Sequence, residues 1–553
     1  MTGTPTGHLP ATLTGAEIIG RALAAAGATH AFGIPGGEVL AVMHGLQDAG
    51  VRFTLVKHEN SGGFFAEGLW HSTGALPVLL ATLGPGVANA VNVVANAMQD
   101  RVPLIFLTGC VDGADAETFT HQVFDHQAML RPVVKASFRA APGAVGAMMA
   151  KAVATATSGQ PGPVHIDVPI SVAEGLQSET PLAFVAPAPP GLPAAASLVT
   201  ALAILKTATR PLAIAGVDAV NEAAGPAITA FCVAHGIPLI TTYKGKGLMP
   251  EAGPLCLGGA GLSPRADTVL MPLIAQADVI LLLGYDPIEM RIGWRNPWRA
   301  DQQVIEITAT ARRHGMHRVD HTLTGALAET LPALHHAAPH RWPGDAIGTA
   351  KAALAVLFRG PEIWGPEIRG PEIWGPHAVF RTLRRIMPPQ TIVTADSGAH
   401  RILVSQMWQC DAPRLMLQST ALCTMACAVP LAAGAKMGRP DLPVLAFVGD
   451  AGLEMGAGEL ATLRDLRLPV ILCVLVDESL ALIEMKQRAG QRPTLGVEFG
   501  GTDFPALARA FGGFGVWVED TAALAQAARE ALSRDHFTLI AARIGKRAYD
   551  GAF

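Results

Sequence analysis

The sequence is poor in charge. Only 16% of its 553 residues are Asp, Glu, Lys or Arg, and 41 basic against 45 acidic side chains leave a net −4. That balance offers no electrostatic footprint for nucleic acid, and no polybasic run marks a membrane surface. Long hydrophobic runs are also missing. The most apolar stretch, Leu422 to Ala435, is interrupted by Pro430, and nothing reaches the roughly 18 uninterrupted apolar residues of a membrane-spanning helix. The opening segment, Met1 to Gly15, is polar and rich in Pro and Thr. It lacks the charged-then-apolar layout of a secretory leader, so a cytoplasmic setting is expected. Paired cysteines are absent: Cys110, Cys232, Cys256, Cys410, Cys423, Cys427 and Cys473 are odd in number, sit in apolar settings and form no CxxC. Buried thiols in a reducing compartment are expected, rather than disulfides or a metal site.

What is present suits a large α/β protein. Half the residues are hydrophobic, and 59 Gly and 41 Pro supply many turns. At roughly 150 residues per domain, the length suggests three or four domains. Apolar strand-like runs alternate with amphipathic helical segments in three blocks, expected at 12–185, 197–340 and 377–553. The first has strand-like runs at Pro77–Ala81, Leu104–Leu107 and Val164–Val168, the second at Leu212–Ala215, Pro238–Thr241, Val279–Leu283 and Val304–Ile307, and the third at Thr391–Thr394, Val444–Val448, Val470–Val476 and Thr538–Ala542. This alternation predicts three doubly wound parallel sheets with helices on both faces. A Pro/Ala linker, Ala186 to Ala196, separates the first two blocks. A tandem Gly-Pro-Glu-Ile-Trp/Arg repeat at 360–374 separates the last two. Its recurring proline forbids a continuous helix or central strand, which suits a surface linker; a binding or lid role for Trp364 and Trp374 is the sharper alternative.

The third block carries the strongest chemical signal. One strand runs into Gly449-Asp450-Ala451-Gly452, a helix-like segment is expected at Ala457–Leu466, and the next strand runs into Asp477-Glu478-Ser479. In a parallel sheet both carboxylates emerge at carboxyl ends of strands, where ligands bind in doubly wound folds. Together they can hold one hard cation of the Mg²⁺ type through oxygen, with phosphate oxygens completing its shell. Small residues after Asp450 allow close approach of a phosphate at a helix start. The bland alternative is that each Asp only caps a helix.

Gly449-Asp450-x-Gly452, with Met455, Glu459-Leu460-Ala461-Thr462 and Leu468-Pro469, resembles the diphosphate-binding motif of thiamine-diphosphate enzymes in the acetolactate synthase branch. The resemblance implies that Asp450, Asp477 and the main-chain oxygen of Ser479 hold magnesium, and that Gly449, Ala451 and Gly452 line the diphosphate. The three blocks become pyrimidine-binding, central and diphosphate-binding domains. Asp477 stands where most members carry Asn, a departure pointing to the FAD-free catabolic acetolactate synthases. Ala451 replaces a motif Gly, which is tolerable if its φ is negative.

Other segments extend the resemblance. In Val56-Lys57-His58-Glu59, taken to end a strand before a Gly-rich helical stretch, Glu59 matches the carboxylate that faces the aminopyrimidine ring and tunes its protonation. Phe32-Gly33-Ile34-Pro35-Gly36-Gly37 resembles an early glycine turn, with Gly36 near the cofactor and Gly37 near substrate. Leu83-Gly84-Pro85-Gly86 resembles a Ser-Gly-Pro-Gly loop. Thr120-His121-Gln122, followed by Asp125, places Gln122 near bound substrate. Leu422-Cys423-Thr424-Met425 resembles a Leu-Gly-Thr-Met turn whose Met425 wedges under the cofactor while the Cys423 carbonyl accepts from its amine. In Gly398-Ala399-His400 only His400 is retained from a Gly-Gln-His diphosphate contact. Gly284-Tyr285-Asp286-Pro287-Ile288-Glu289 and Gly496–Asp503 look like the catabolic enzymes. No GxGxxG fingerprint follows a strand in the second block, which makes FAD doubtful.

The implied reaction decarboxylates pyruvate and joins the two-carbon unit to a second 2-oxo acid, giving 2-acetolactate. In the family the Glu-bearing block of one subunit faces the magnesium-bearing block of another, which implies a homodimer or homotetramer. Lys486 occupies the substrate-selecting position, where a cation could pair with an extra anionic group; the alternative is a solvated helix residue. Alternatives are another thiamine-diphosphate enzyme (a 2-oxo acid decarboxylase, sulfoacetaldehyde acetyltransferase or acyl-CoA lyase) or a non-catalytic homologue serving as a binding subunit. Retention of Glu59, Asp450 and Asp477 together argues against the last.

Overall fold

The computed structural model describes residues 12–179, 188, 190–311, 314–336, 340, 342–360 and 373–553. The chain divides into two compact units, Met1–Pro187 and Ala188–Phe553, and the division falls in the Pro/Ala-rich stretch.

The first unit is built on a six-stranded parallel sheet. In spatial order its strands are Arg52–Leu55, His30–Ile34, Val78–Ala81, Ile105–Cys110, Val164–Pro169 and Ala136–Arg139. Val78–Ala81, Ile105–Cys110 and Val164–Pro169 are buried along their whole length. Helices cover both faces, which is why these strands read as unbroken apolar runs rather than alternating ones. The first helix, Gly15–Ala25, starts with a capping box: Thr14 accepts from the Glu17 N–H and the Glu17 carboxylate accepts from the Thr14 N–H. Its Ile19 and Leu23 enter a core with Val78, Leu80, Ile105 and Val164.

The second unit holds two more six-stranded parallel sheets. The middle one orders Cys256–Ala260, Leu239–Thr242, Pro211–Ala215, Val279–Leu283, Gln303–Thr308 and His321–Thr324. The last orders Met416–Gln418, Ile392–Ala395, Val444–Gly449, Ile471–Val476, Thr538–Arg543 and Phe514–Val518. A shared core that includes Trp294, Phe380, Trp408 and Phe447 runs between them. Fold class is therefore α/β, with three parallel sheets flanked by helices.

Strand order decides where ligands fit. In the first and last sheets the chain-order sequence is 2-1-3-4-6-5, whereas the middle sheet follows 3-2-1-4-5-6. In the 2-1-3-4-6-5 sheets the connections leave to opposite sides between the first and third strands, and a crevice opens there at the carboxyl ends. Beyond that switch point lie Gly36 and Gly84 in the first sheet, and Ser397–His400 and Gly449–Gly452 in the last.

Several expectations need local correction. Glu59 does not end a strand: the strand is Arg52–Leu55, and Glu59 is the first residue of the helix Glu59–Thr73. His58 caps that helix, its Nδ1 accepting from the Asn60 N–H at 3.1 Å. The helical segment expected at Ala457–Leu466 is a pair of short helices, Asp450–Gly456 and Glu459–Asp465. The first starts directly at Asp450 because a carboxylate suits the exposed N–H groups of a first turn. Ala451 sits inside it and is not among the positive-φ residues, so the missing motif glycine costs nothing there. All seven cysteines are free, but Cys423 is exposed, because it sits on a turn with φ of 61°. Most of the tandem repeat, 361–372, lies outside the described residues. Trp374, at its end, donates its indole N–H to the Arg543 carbonyl at 2.7 Å.

Candidate cofactor site

In the last sheet, Val444–Gly449 and Ile471–Val476 are direct parallel neighbours, with Gly449 paired to Leu475. The residues after them are thereby brought side by side. The Asp450 carboxylate accepts from the N–H groups of Asp477 at 3.0 Å and Glu478 at 2.7 Å through Oδ2, and from Ala451 at 2.9 Å through Oδ1. It is a cross-strand brace, not only a cap. Asp477 accepts from the Ser479 N–H at 3.3 Å.

Both carboxylates are buried, and among the described residues neither forms an ion pair. Burial, followed by the negative charge of Asp450, pushes the Asp477 carboxyl up to about 8. Burial raises Asp450 as well. Two buried acids with no counter-charge are costly, and a divalent cation would remove that cost through oxygen ligands. The Ser479 hydroxyl beside them is buried without a partner. The donor set thus fits Mg²⁺.

These residues face a cavity of about 700 Å³ lined by Gly449, Ala451, Gly452, Asp477, Ser479, His400, Cys423, Met425 and Lys486. Ten of the residues singled out in the sequence converge here, counting Asp450 behind Asp477. His400 is buried, its Nε2 has no partner, and burial followed by the nearby Arg401 charge pushes its imidazole down to about 3. A neutral ring is therefore presented to the cavity at neutral pH. Lys486 is exposed on the helix Ala481–Ala489.

Asp396, which the sequence reading missed, organises the cavity floor. It follows the strand Ile392–Ala395, and its carboxylate accepts from the N–H groups of Ala426 and Cys427, each at 3.0 Å. Those bonds pin the turn that carries Met425. Cys423 and Ala426 in that turn have φ of 61° and 63°, a region that side chains avoid. Arg401 clamps the same turn by donating to the Ser419 carbonyl at 2.5 Å and the Cys423 sulfur at 3.1 Å. A Cβ on Gly452 would stand 2.1 Å from Asp396 Oδ2, so only glycine fits. A usable signal existed: Asp396, Asp450 and Asp477 all stand immediately after strands of one sheet. Tyr549 and Phe553 from the chain end and Arg291 from the middle block also line the cavity, and no motif marked them.

The remaining candidates lie in the first unit. Glu59 is only 5% exposed and accepts from the Asn89 side-chain amide at 3.0 Å. A Cβ on Gly86 would lie 3.4 Å from Glu59 Oε1, and one on Gly36 would clash with the Thr82 hydroxyl at 2.2 Å. Thr82 donates to Glu38 at 2.7 Å, another carboxylate that the motifs did not flag. Gly37 is open. Gln122 is exposed with φ of 60°, and its carbonyl oxygen lies 2.5 Å from where a Gly84 Cβ would be. It therefore approaches this cluster through backbone packing on the Leu83–Gly86 loop.

Comparison with known proteins agrees with this layout. Residues 13–129 match the family model for the N-terminal TPP binding domain of thiamine pyrophosphate enzymes, 198–334 the central domain and 396–542 the C-terminal TPP binding domain. Acetolactate synthase of Bacillus subtilis is 28% identical over 529 residues, covering 94% of this chain and 91% of that protein. A probable 2-ketoarginine decarboxylase of Pseudomonas aeruginosa is 30% identical over 509 residues, covering 91% and 89%. The catabolic acetolactate synthase of Raoultella terrigena is 28% identical over 556 residues, covering 96% and 95%. The chain belongs to the thiamine pyrophosphate enzyme family, on its acetolactate synthase-like side.

Proposed function

We propose that the protein is a carboligase using thiamine diphosphate and Mg²⁺, which decarboxylates pyruvate and joins the two-carbon unit to a second 2-oxo acid to give 2-acetolactate. The observation that carries the reading is the buried Asp450–Asp477 pair, without a counter-charge among the described residues, with Asp477 lining a cavity that Gly449 and Gly452 also line. Asp450, Asp477 and the Ser479 carbonyl would hold the cation. Gly449, Ala451, Gly452 and His400 would line the diphosphate, and Met425 and the Cys423 carbonyl the ring system.

Thiamine diphosphate supplies, when bound, a nucleophilic carbon that adds to a substrate carbonyl and takes up the electron pair freed with CO₂. The chain supplies proton control and orientation. Glu59 is buried and receives one side-chain donor, Asn89, on Oε2. Its other oxygen is left to hold a proton at the pyrimidine ring, with Gly36 keeping the approach open. Gly37, Gln122 and Lys486 would meet substrate. Family resemblance supports sites shared between the first unit of one copy and the second unit of another, in a homodimer or homotetramer.

A second reading is favoured by the 2-ketoarginine decarboxylase relative: simple decarboxylation of a different 2-oxo acid. Incubation with thiamine diphosphate, Mg²⁺ and either pyruvate or another 2-oxo acid separates the two. Acetolactate from pyruvate supports ligation, and release of the corresponding aldehyde from another 2-oxo acid supports decarboxylation. No turnover across a panel of 2-oxo acids would sink both. Lys486→Gln is expected to lower kcat/KM for second substrates bearing an extra anionic group more than for pyruvate. An unchanged profile would remove Lys486 from the reading.

A further inference from the structure

Away from the residues discussed so far, the first unit contains a closed polar chain that crosses three neighbouring strands. Ser137 lies on Ala136–Arg139, His165 and Asp167 on Val164–Pro169, and Thr108 on Ile105–Cys110. His126 opens the short helix His126–Leu130. Thr108, His126, His165 and Asp167 are all at most 5% exposed. The contacts are Ser137 Oγ to His165 Nδ1 at 2.8 Å, His165 Nε2 to Thr108 Oγ1 at 2.8 Å, Thr108 Oγ1 to Asp167 Oδ1 at 2.7 Å, and His126 Nδ1 to Asp167 Oδ1 at 2.8 Å. Finally, the Gly84 N–H meets His126 Nε2 at 3.1 Å.

With Asp167 ionised and His165 neutral, these contacts admit one consistent placement of protons. A backbone N–H can only donate, so His126 Nε2 is an acceptor and carries no proton. His126 is then neutral and protonated on Nδ1, which donates to Asp167. Asp167 can accept from Thr108 as well, leaving Thr108 Oγ1 to accept from His165 Nε2–H. His165 Nδ1 then accepts from Ser137. Every donor finds an acceptor. Burial alone would raise the Asp167 carboxyl, but the adjoining His126 and His165 outweigh it and hold the group below the usual carboxylate range. His126, His165 and Asp167 could in principle ligate a metal. The complete proton pairing makes a hydrogen-bonded network the better account.

The chain ends on a mechanically important atom. Gly84 is the pivot before the helix Pro85–Gln99, with φ of 68° and ψ of −104°. That helix presents Gly86 and Asn89 to Glu59, and the Gln122 carbonyl packs on Gly84 itself. We infer that His126, held in its Nδ1–H tautomer by Asp167, is a positioning residue that sets the Gly84 pivot and through it the alignment of Asn89 on Glu59 and of the Gln122 segment. The inference rests on the reading of Glu59 as the proton-handling carboxylate.

Three variants of the full-length enzyme loaded with thiamine diphosphate and Mg²⁺ test it. His126→Leu removes both hydrogen bonds. Asp167→Ala removes the acceptor that holds the proton on His126 Nδ1, so the ring is free to carry it on Nε2, against the Gly84 N–H. His126→Gln keeps an acceptor and a donor. The first two are expected to lower kcat about 10- to 100-fold, as for misplacement of a catalytic group by a fraction of an ångström to an ångström. The KM for pyruvate should stay nearly unchanged, and His126→Gln should restore most of kcat. Hydrogen exchange of the 82–89 segment is the second readout: faster in His126→Leu and Asp167→Ala, native-like in His126→Gln. His126→Gln as impaired as His126→Leu by both readouts would overturn the inference, because volume rather than hydrogen bonding would then matter. So would wild-type kcat in His126→Leu, or a stoichiometric metal that is lost with His126. If His126→Leu does not fold, the contrast between Asp167→Ala and His126→Gln decides. If the wild-type enzyme turns over no 2-oxo acid, the functional reading fails, while the exchange contrast still reports on the anchor.

Discussion

Glu59 shows how little a residue type says without its surroundings. As a lone Glu after a basic dipeptide it reads as a surface or helix-capping side chain. In the fold it is buried on the first turn of a helix, with the Asn89 amide as its side-chain donor. Glu59→Gln keeps the shape and the Asn89 contact but removes the proton chemistry. Turnover is expected to fall about 100-fold or more, with the melting temperature held within a few degrees. Undiminished turnover would rule out the role proposed for Glu59. Gly452 is an opposite case, where absence of a side chain matters. Gly452→Ala puts a methyl 2.1 Å from Asp396 Oδ2, and displacement of Asp396 frees the Ala426 and Cys427 N–H groups. A stability loss of about 2 kcal/mol or more is expected, with weaker thiamine diphosphate binding, readable by thermal unfolding and cofactor titration.

At the scale of elements, most strands were legible because a parallel strand buried on both faces is written as an unbroken apolar run. Their ends were less so. The helix starting at Asp450 and the turn holding Met425 depend on hydrogen bonds from partners distant in sequence: Asp477 and Glu478 for the first, Asp396 for the second. No local pattern encodes those bonds. The helix Gly225–His235 yields a pH prediction. His235 is fully buried, stacks on His336 at 4.0 Å and has no partner on either ring nitrogen. Burial, followed by repulsion from His336, His335 and His340, pushes its imidazole down to about 4. The unfolded chain takes up this proton near 6.5, so the folded state is penalised as pH falls between those values. Stability should be full above 6.5 and decline as pH drops toward about 4. His235→Phe should flatten that decline in thermal melts between pH 7 and pH 4. An unchanged slope would assign the acid sensitivity to other groups.

For the whole molecule, Glu59 falls in the first unit of the chain and Asp450 and Asp477 in the second. If sites are shared between copies, two inactive variants can complement. In a dimer mixed from Glu59→Gln and Asp450→Asn chains, one site collects both defects and the other none. Random pairing should then recover about a quarter of wild-type activity, measured after co-refolding or co-expression. Recovery of none would mean that each site is built within one chain, and would remove the shared-site proposal.

Sequence alone determined the class of the fold and the family to which the chain belongs. Burial of parallel strands demands apolar runs, and the family motif Gly449-Asp450-x-Gly452 sits where one such run ends, so both leave local marks at Val444–Gly452 and Ile471–Asp477. Tertiary structure alone decided the rest. The Asp396 clamp, the burial of Asp450 beside Asp477, and the chain from Ser137 to Gly84 arise from residues far apart in sequence meeting at strand ends. Whether a buried polar group is satisfied depends on which groups converge on it in space, and no periodicity records that.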